Sequence, residues 1–157
     1  MAKDMEKARR VYDLVCAMFD ARKLVYEKRE EDLVIHCDAR GDDLPMDFLI
    51  RVNPELSIVS FYSDLPFRVP EEKRLDVAVA VTAINYMIVD GNFDLDFSDG
   101  QVLFRVNNSY LDSEPDMEVF NYMLSITAGA VDEYNDKLLM LAKGYIDLEQ
   151  FLANLSE

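Results

Sequence analysis

The 157-residue sequence contains one histidine, two cysteines, five glycines and no tryptophan. A catalytic triad needs a nucleophile, a base and an orienting group, and His36 is the sole imidazole available as a base. His36 lies in a segment typical of a strand, where neighbouring side chains point to opposite faces, so the adjacent Cys37 is not a second ligand. The glycines are isolated, which excludes a glycine-rich phosphate loop. The sequence therefore predicts a chain that is not an enzyme, with no catalytic residue, no cofactor and no metal site.

The two cysteines and the lack of a long apolar run predict that the protein lies in the cytoplasm. Cys16 and Cys37 do not have the spacing of a metal-binding pair, so we expect reduced, buried thiols in a cytoplasmic protein. No apolar stretch reaches the ~18 residues that a membrane-spanning helix needs. The first residues, MAKDMEKARR, mix charges and lack the apolar segment of a secretory signal. We therefore expect no membrane partner.

Negative charge dominates the sequence, with a formal net charge of -15. Residues 75–157 carry 15 acidic and only 3 basic residues. A surface of this kind repels nucleic acid and anionic membranes, so nucleic acid is not an expected partner. The acidic residues either keep the chain soluble or receive a basic partner. We favour solubility, because net charge bears on solubility before it bears on partners.

The segment Gly91–Val106, GNFDLDFSDGQVLFRV, contains enough acidic residues to raise the hypothesis of a calcium loop. The first three oxygen ligands of an EF-hand alignment would be Asp94, Asp96 and Ser98. The glycine required at the sixth position comes one residue late, as Gly100, and the twelfth position is Arg105 instead of a glutamate. The ligand pattern therefore fails, and the segment favours a turn between two strands.

Apolar and polar residues alternate on both sides of Asp99-Gly100. Phe93, Leu95 and Phe97 alternate with polar residues before this dipeptide, and residues 102, 104 and 106 do so after it. Asp-Gly between two alternating runs is typical of a type I′ hairpin turn, in which both central residues have positive φ. We therefore predict a β-hairpin with its turn at Asp99-Gly100.

Hydrophobic periodicity and turn residues predict a single α+β domain over residues 1–157, with the order α-β-β-β-β-α-β-β-α-α. The predicted helices cover residues 3–22, 71–89 and 115–142 and a short amphipathic segment within 145–157 that Asp147 caps. The first four predicted strands are Leu24–Tyr26, Leu33–Cys37, Met46–Val52 and Leu56–Tyr62. In the third helix, Ser113 has the spacing of a capping box, Gly129 suggests a close backbone contact and Gly144 is the expected end.

The predicted second helix, residues 71–89, has almost no polar face. Its apolar residues include Val77, Val81, Ile84 and Met87. A helix that is apolar on all sides is buried on all sides, so one side is expected to pack on the sheet. The other side needs a cover, which is either the C-terminal helix or a second copy of the chain.

The sequence from Asn85 to Arg105 resembles the YbjN family, whose members carry a similar helix, an asparagine, a G-x-F-x-x-D…D-G hairpin and an F-R strand. Pro66–Pro70, and Val131–Tyr134 followed by Gly144, are also similar, and the resemblance is best over residues 56–144. It implies the fold of type III secretion chaperones, a twisted and mainly antiparallel sheet with helices packed on one side. Those chaperones are small acidic homodimers that bind an extended segment of a client, and YbjN proteins are described as regulators of sensory transduction. The resemblance supplies no catalytic residue.

Two classes of function follow from these observations. The first is a non-catalytic protein-binding or regulatory module, homodimeric and able to bind a client protein. The second is a small-molecule-binding domain or enzyme whose pocket is not visible in the sequence. Wide apolar stripes on the helices favour the first, because monomers rarely expose large apolar patches. The predicted partner or dimer surface consists of Val77, Val81, Ile84, Met117, Phe120, Met123, Leu124, Phe151 and Leu152.

Overall fold

The structure is a computed structural model that describes residues 4–155, so residues 3 and 156–157 of the predicted helices lie outside it. The helices are α1 (Met5–Ala21), α2 (Arg74–Met87), α3 (Met117–Lys143) and α4 (Leu148–Leu155), with a 3-10 turn (Glu71–Lys73) directly before α2. The strands are β1 (Glu27–Arg29), β2 (Val34–Arg40), β3 (Pro45–Asn53), β4 (Ile58–Arg68), β5 (Asn92–Leu95) and β6 (Gln101–Ser109). The predicted α+β class and element order are confirmed. Within the described range, no helix has the length and apolar character to span a membrane.

The six strands form one sheet in the order β1-β2-β3-β4-β6-β5, and the neighbouring pairs are antiparallel. The chain leaves β4 through α2 and returns at the sheet edge as β5, before β6 pairs with β4. In β3, the buried residues Met46, Phe48, Ile50 and Val52 alternate with more exposed ones. Helices α1 and α3 therefore cover one face of the sheet, and the other face is open to solvent.

Several strand boundaries differ from the prediction. Leu24–Tyr26 is not a strand, because the chain turns at Lys23, which has a φ of 57°, and pairing with β2 begins only in β1. β4 continues past the predicted end at Tyr62 to Arg68, and β6 continues to Ser109, past the alternating run that ends at Val106. These two strands pair with each other, and a paired neighbour stabilises extended backbone where the sequence pattern alone is weak.

The helix ends depend on local capping side chains. Gly144 ends α3 with a φ of 74°, as predicted. At the start of α4, Asp147 and Gln150 exchange side-chain and backbone hydrogen bonds of 2.8 and 2.9 Å, which is a capping box. The predicted cap of α3 is wrong, since Asp116 and not Ser113 accepts the capping hydrogen bond, at 3.1 Å. A proline two residues after Ser113 disfavours helical backbone at the residue before it, so the helix begins later.

The turn between β5 and β6 is longer than predicted. The Gly100 N–H donates to the carbonyl of Asp96, and the Asp96 N–H donates to the carbonyl of Gln101, both at 2.8 Å, so residues 97–100 form the turn. Gly100 has a φ of 79°, whereas Asp99 is not among the residues with positive φ. The predicted type I′ geometry is therefore wrong, although the hairpin and its glycine are confirmed.

Asp96 is the reason that the turn starts early. Its carboxylate accepts hydrogen bonds from the N–H and the hydroxyl of Ser98, at 2.8 and 2.6 Å, which bends the backbone over two residues. The bend takes Phe97 out of the strand, so its side chain is 51% exposed instead of joining Phe93 in the core. Loops of this length that end in glycine are a common alternative to the two-residue turn.

Aromatic contacts join α3 to the sheet. Phe120 stacks on Phe61 of β4 with ring centroids 6.5 Å apart. Phe93 of β5 makes T-shaped contacts with Phe104 and Tyr134, with ring centroids 5.2 and 6.0 Å apart. The close contact predicted at Gly129 is not observed: a Cβ there would have 4 Å of free space outside its own helix backbone. Packing of α3 therefore depends on its large side chains.

Asn85 and Arg74 fix the orientation of α2. The side-chain amide of Asn85 donates to the carbonyl of Phe93 at 2.9 Å and accepts from the Phe93 N–H at 2.8 Å. These two hydrogen bonds satisfy both backbone polar groups of a residue in the edge strand β5. At the other end, the Arg74 guanidinium donates to the carbonyls of Phe97 and Ser98 at 3.0 and 3.3 Å. These contacts determine which face of α2 points outward.

Candidate functional site

Most of the predicted partner surface lies in the core of the chain. Seven of the nine predicted residues are buried, namely Val77, Val81, Ile84, Phe120, Met123, Leu124 and Phe151. Met117 and Leu152 are partly buried against the same core. The inward face of α2 packs on α3 and β5, so the helices cover much of one another's apolar stripes. In this structure the buried seven hold the chain together, and a partner surface on α2 must use other side chains.

The outward face of α2 carries a second apolar stripe. Leu75, Val79, Tyr86 and Met87 are 73%, 47%, 93% and 52% exposed. Together with Thr82, positions 75, 79 and 86 recur at intervals of four, three and four residues, which is the spacing of a coiled-coil seam. A helix on the surface of a protein normally presents polar side chains there. This face therefore has the pattern of one half of a helix–helix interface.

Helix α4 lies beside the exposed stripe and completes a groove of about 740 Å³. The groove is lined by Leu75, Ala78, Val79, Thr82, Ala83, Tyr86, Met87, Leu152 and Leu155. Small and large side chains alternate along its α2 wall, so the surface has hollows as well as projections. Small residues at a helix surface allow a second helix to approach closely. The groove is thus suited to receive apolar side chains from another helix.

The groove offers few polar groups to orient a small substrate. None of its nine lining residues is charged, and Thr82 and Tyr86 are the two with side-chain hydroxyls. The Thr82 hydroxyl donates to the carbonyl of Ala78 at 2.8 Å, so it is already used within the helix. Small-molecule sites normally combine apolar walls with a few converging polar groups. The lining therefore favours a protein surface over a substrate.

The carboxylates considered for a calcium loop interact with other groups of the chain. Asp94 is 2.9 Å from the Arg105 guanidinium and accepts a hydrogen bond from Asn92 at 2.7 Å. The Asp96 carboxylate accepts from Ser98, and these hydrogen bonds hold its pKa below the ordinary value for an aspartate. Neither carboxylate belongs to a group of converging metal-ligand atoms among residues 4–155.

Cys16 and Cys37 are both buried and unpaired. Burial raises the pKa of each thiol above its ordinary value. Burial also raises the pKa of Tyr12, beside Cys16, to about 12. A nucleophilic cysteine needs a depressed pKa and access to solvent, so neither thiol is a candidate nucleophile.

One cluster of metal-ligand side chains lies on the open face of the sheet. One ligand atom from each of His36, Asp38 and Asp47 lies within 4.8 Å of the other two. The sequence pattern does not reveal this group, because His36 and Asp47 are separated along the chain and meet only through the antiparallel register of β2 and β3. The available signal was Asp38, two positions after His36 and just past the predicted strand Leu33–Cys37, since this spacing on extended backbone places both side chains on one face.

No protein-family model matches this sequence, and no curated protein matches it. Among solved structures, YbjN from E. coli, described as a proposed transcription regulator, has a TM-score of 0.62 at 15% identity and covers 85% of this chain and 92% of its own. A chain of the ExsC–ExsE complex has a TM-score of 0.61 at 14% identity and covers 83% of this chain and 95% of its own. At these identities the likeness concerns the fold. It confirms the predicted fold, similar to YbjN and to a type III secretion chaperone.

Proposed function

We propose that this chain is a non-catalytic protein-binding module whose binding surface is the groove between α2 and α4. The observation that carries the proposal is the exposed apolar stripe of α2, in a chain that otherwise has a net charge of -15. Monomeric proteins rarely leave such a stripe uncovered. One of the structures with this fold is a complex of two proteins, and the other is described as a regulator, which supports protein binding.

The occupant of the groove is a second copy of the chain, in a symmetric homodimer. A two-fold interface uses the same patch on both subunits, so the patch must contain both projections and hollows. Tyr86 and Leu75 project from α2, whereas Ala78 and Ala83 leave space beside them. Two α2 stripes with coiled-coil spacing can interdigitate in this way. The open face of the sheet then stays available to a client protein.

A small-molecule function has less support than protein binding. The groove has few polar groups, and the Thr82 hydroxyl is bonded within its own helix. Binding energy there would come almost entirely from apolar contact, which gives little orientation to a substrate. The buried, unpaired thiols of Cys16 and Cys37 support a reducing compartment, the cytoplasm, for the module.

Sedimentation analysis of Val79→Glu tests the groove. The unmodified chain is expected to sediment with twice its 18.1 kDa mass, and Val79→Glu as a monomer, because the substitution places a charge in the middle of the apolar stripe. Val25→Glu is the matched control, since it adds the same charge at a valine that is 91% exposed before β1. Far-UV circular dichroism and thermal unfolding check that both variants fold.

Salt supplies a second test of the same proposal. The net charge of the chain opposes association, and salt screens that repulsion, so the dimer is expected to strengthen as ionic strength rises. An unmodified chain that stays monomeric at tens of micromolar, at low and high salt, would contradict the homodimer. If Val79→Glu dimerises as strongly as the Val25→Glu control, the dimer interface does not include the groove.

A further inference from the structure

Three side chains with metal-ligand atoms meet on the open face of the sheet. His36 and Asp38 are two residues apart on β2 and share a face, and Asp47 is the cross-strand neighbour of Asp38 on β3. The His36 Nε2 is 3.8 Å from Asp38 Oδ1 and forms a hydrogen bond with Asp47 Oδ1. One imidazole nitrogen and two carboxylate oxygens therefore lie within 4.8 Å of one another.

Negative charge is concentrated around this point. Asp38 and Asp47 are directly opposite each other, where like charges destabilise a sheet. Asp64 of β4 lines the same cleft, and its pKa is raised mainly by burial, with a smaller contribution from Asp47. Arg68 also lines the cleft and lowers the pKa of Asp64, but its guanidinium lies 3.8 Å from Asp99. A cation held between Asp38 and Asp47 would offset their repulsion.

We infer that His36, Asp38 and Asp47 bind a divalent transition-metal ion of the zinc class. Imidazole nitrogen and carboxylate oxygen are both zinc ligands, and three protein ligands with one water make the four-coordinate arrangement of an open zinc site. Calcium and magnesium prefer sets of oxygen ligands, so the imidazole selects against them. The ion takes the position between His36 Nε2 and Asp47 Oδ1 that their hydrogen bond now occupies.

The position of the cluster makes the metal exchangeable. The side chains of His36, Asp38 and Asp47 are 35%, 79% and 53% exposed, and the cleft beside them holds about 580 Å³. Structural zinc sites are closed by four protein ligands, whereas an open site with three ligands leaves a position for water. Zinc is therefore expected to bind reversibly to the folded chain. The groove on α2 does not contribute to the cluster, so the inference is independent of the proposed homodimer.

The single histidine allows a direct test by NMR, because all imidazole signals of the chain come from His36. Titration of the full chain with zinc chloride is expected to shift the ring nitrogen and carbon resonances until one equivalent is bound. Calorimetry of the same titration measures the stoichiometry and the affinity. His36→Gln and Asp47→Asn are each expected to lower the zinc affinity by about tenfold or more. Removing even an outer hydrogen-bond partner of a metal ligand costs about tenfold or more, and removing a ligand itself should cost at least as much.

Asp112→Asn is the matched control, because it removes one negative charge from an exposed loop, and its zinc affinity should equal that of the unmodified chain. No saturable shift of the His36 ring would overturn the inference. So would an affinity that His36→Gln leaves unchanged, since the zinc would then sit elsewhere on the acidic surface. Displacement of zinc by calcium or magnesium chloride in comparable amounts would also contradict it, by showing that charge alone attracts the ion. Far-UV circular dichroism of each variant confirms that the fold is intact.

Discussion

Tyr86→Ala is expected to weaken self-association strongly and to leave the folded monomer unchanged. Tyr86 lies near the carboxyl end of α2 and is 93% exposed. Its truncation removes little contact within the chain, so the free energy of unfolding of the monomer should change by less than about 0.5 kcal/mol. In the proposed dimer, the same ring enters the small-residue hollow on α2 of the second copy. The substitution therefore separates association from folding.

The expected loss follows from the apolar area of the ring. An enclosed aromatic side chain buries about 150–250 Å². In the dimer the second copy covers about one side of the Tyr86 ring, so about half of this area is buried at the interface. Because apolar area contributes about 25 cal/mol per Å², truncation of the ring costs about 1.5–3 kcal/mol per chain. A two-fold dimer contains the substitution twice. The free energy of dissociation should therefore fall by about 3–6 kcal/mol, which is a roughly 10²–10⁴-fold higher Kd.

Sedimentation equilibrium over a dilution series measures this Kd. Leu56→Ala is the control, because it truncates an apolar side chain that is 62% exposed in the turn between β3 and β4, far from α2 in the chain. Urea unfolding at a concentration where both variants are monomeric checks their folding. An increase in Kd for Tyr86→Ala of less than about threefold, or an equal increase for Leu56→Ala, would refute the reasoning.

Four further substitutions test the hairpin, the packing of α3 and the pH dependence of stability. Gly100→Val should destabilise the chain by about 2–4 kcal/mol in urea unfolding, because a Cβ at this positive φ would lie 2.1 Å from the Val69 carbonyl oxygen; Gly129→Ala, with free space for its Cβ, should instead stabilise by about 0.5–1 kcal/mol. Asp94→Asn should leave the melting temperature unresponsive to millimolar calcium, as in the unmodified chain, and a calcium-dependent rise that this substitution removes would restore the calcium-loop hypothesis. Burial raises the folded-state pKa of Asp64, so ionisation of this carboxyl lowers the free energy of unfolding as the pH rises through that pKa. Asp64→Asn should therefore stabilise the chain at neutral pH. The stabilisation should disappear in acid, where Asp64 is protonated, and melting temperatures measured over a pH series check this.

Local signals in the sequence were enough to predict the element order and several helix ends. The stop at Gly144 and the cap at Asp147 depend on residues within one helical turn, so they are visible without the fold. The α+β class followed from the change between helical and strand periodicity. The hairpin was predictable as an element, but its turn type was not, because Asp96 competes for the backbone two residues further on.

The residues of the candidate surface show where local patterns stop being informative. Val77, Val81 and Ile84 have the same apolar character as Leu75 and Val79, and the sequence alone predicted only that α2 needs cover on two sides. Which face is inside depends on the pairing of α2 with β5 and α3, contacts between residues that are distant in the chain. The predicted α2 residues Val77, Val81 and Ile84 are therefore on the buried face of the helix, and the groove proposed above uses its other face.

The sequence by itself determined the class of the fold, the absence of a long apolar span and the surplus of apolar residues on α2, because these depend on composition and on neighbours along the chain. Tertiary structure alone decided that β6 pairs with β4, that one apolar stripe of α2 faces solvent, and that Asp47 lies beside His36. The physical reason is that strand register and helix rotation are set by the summed packing of distant side chains and by hydrogen bonds such as those of Asn85 with the edge strand.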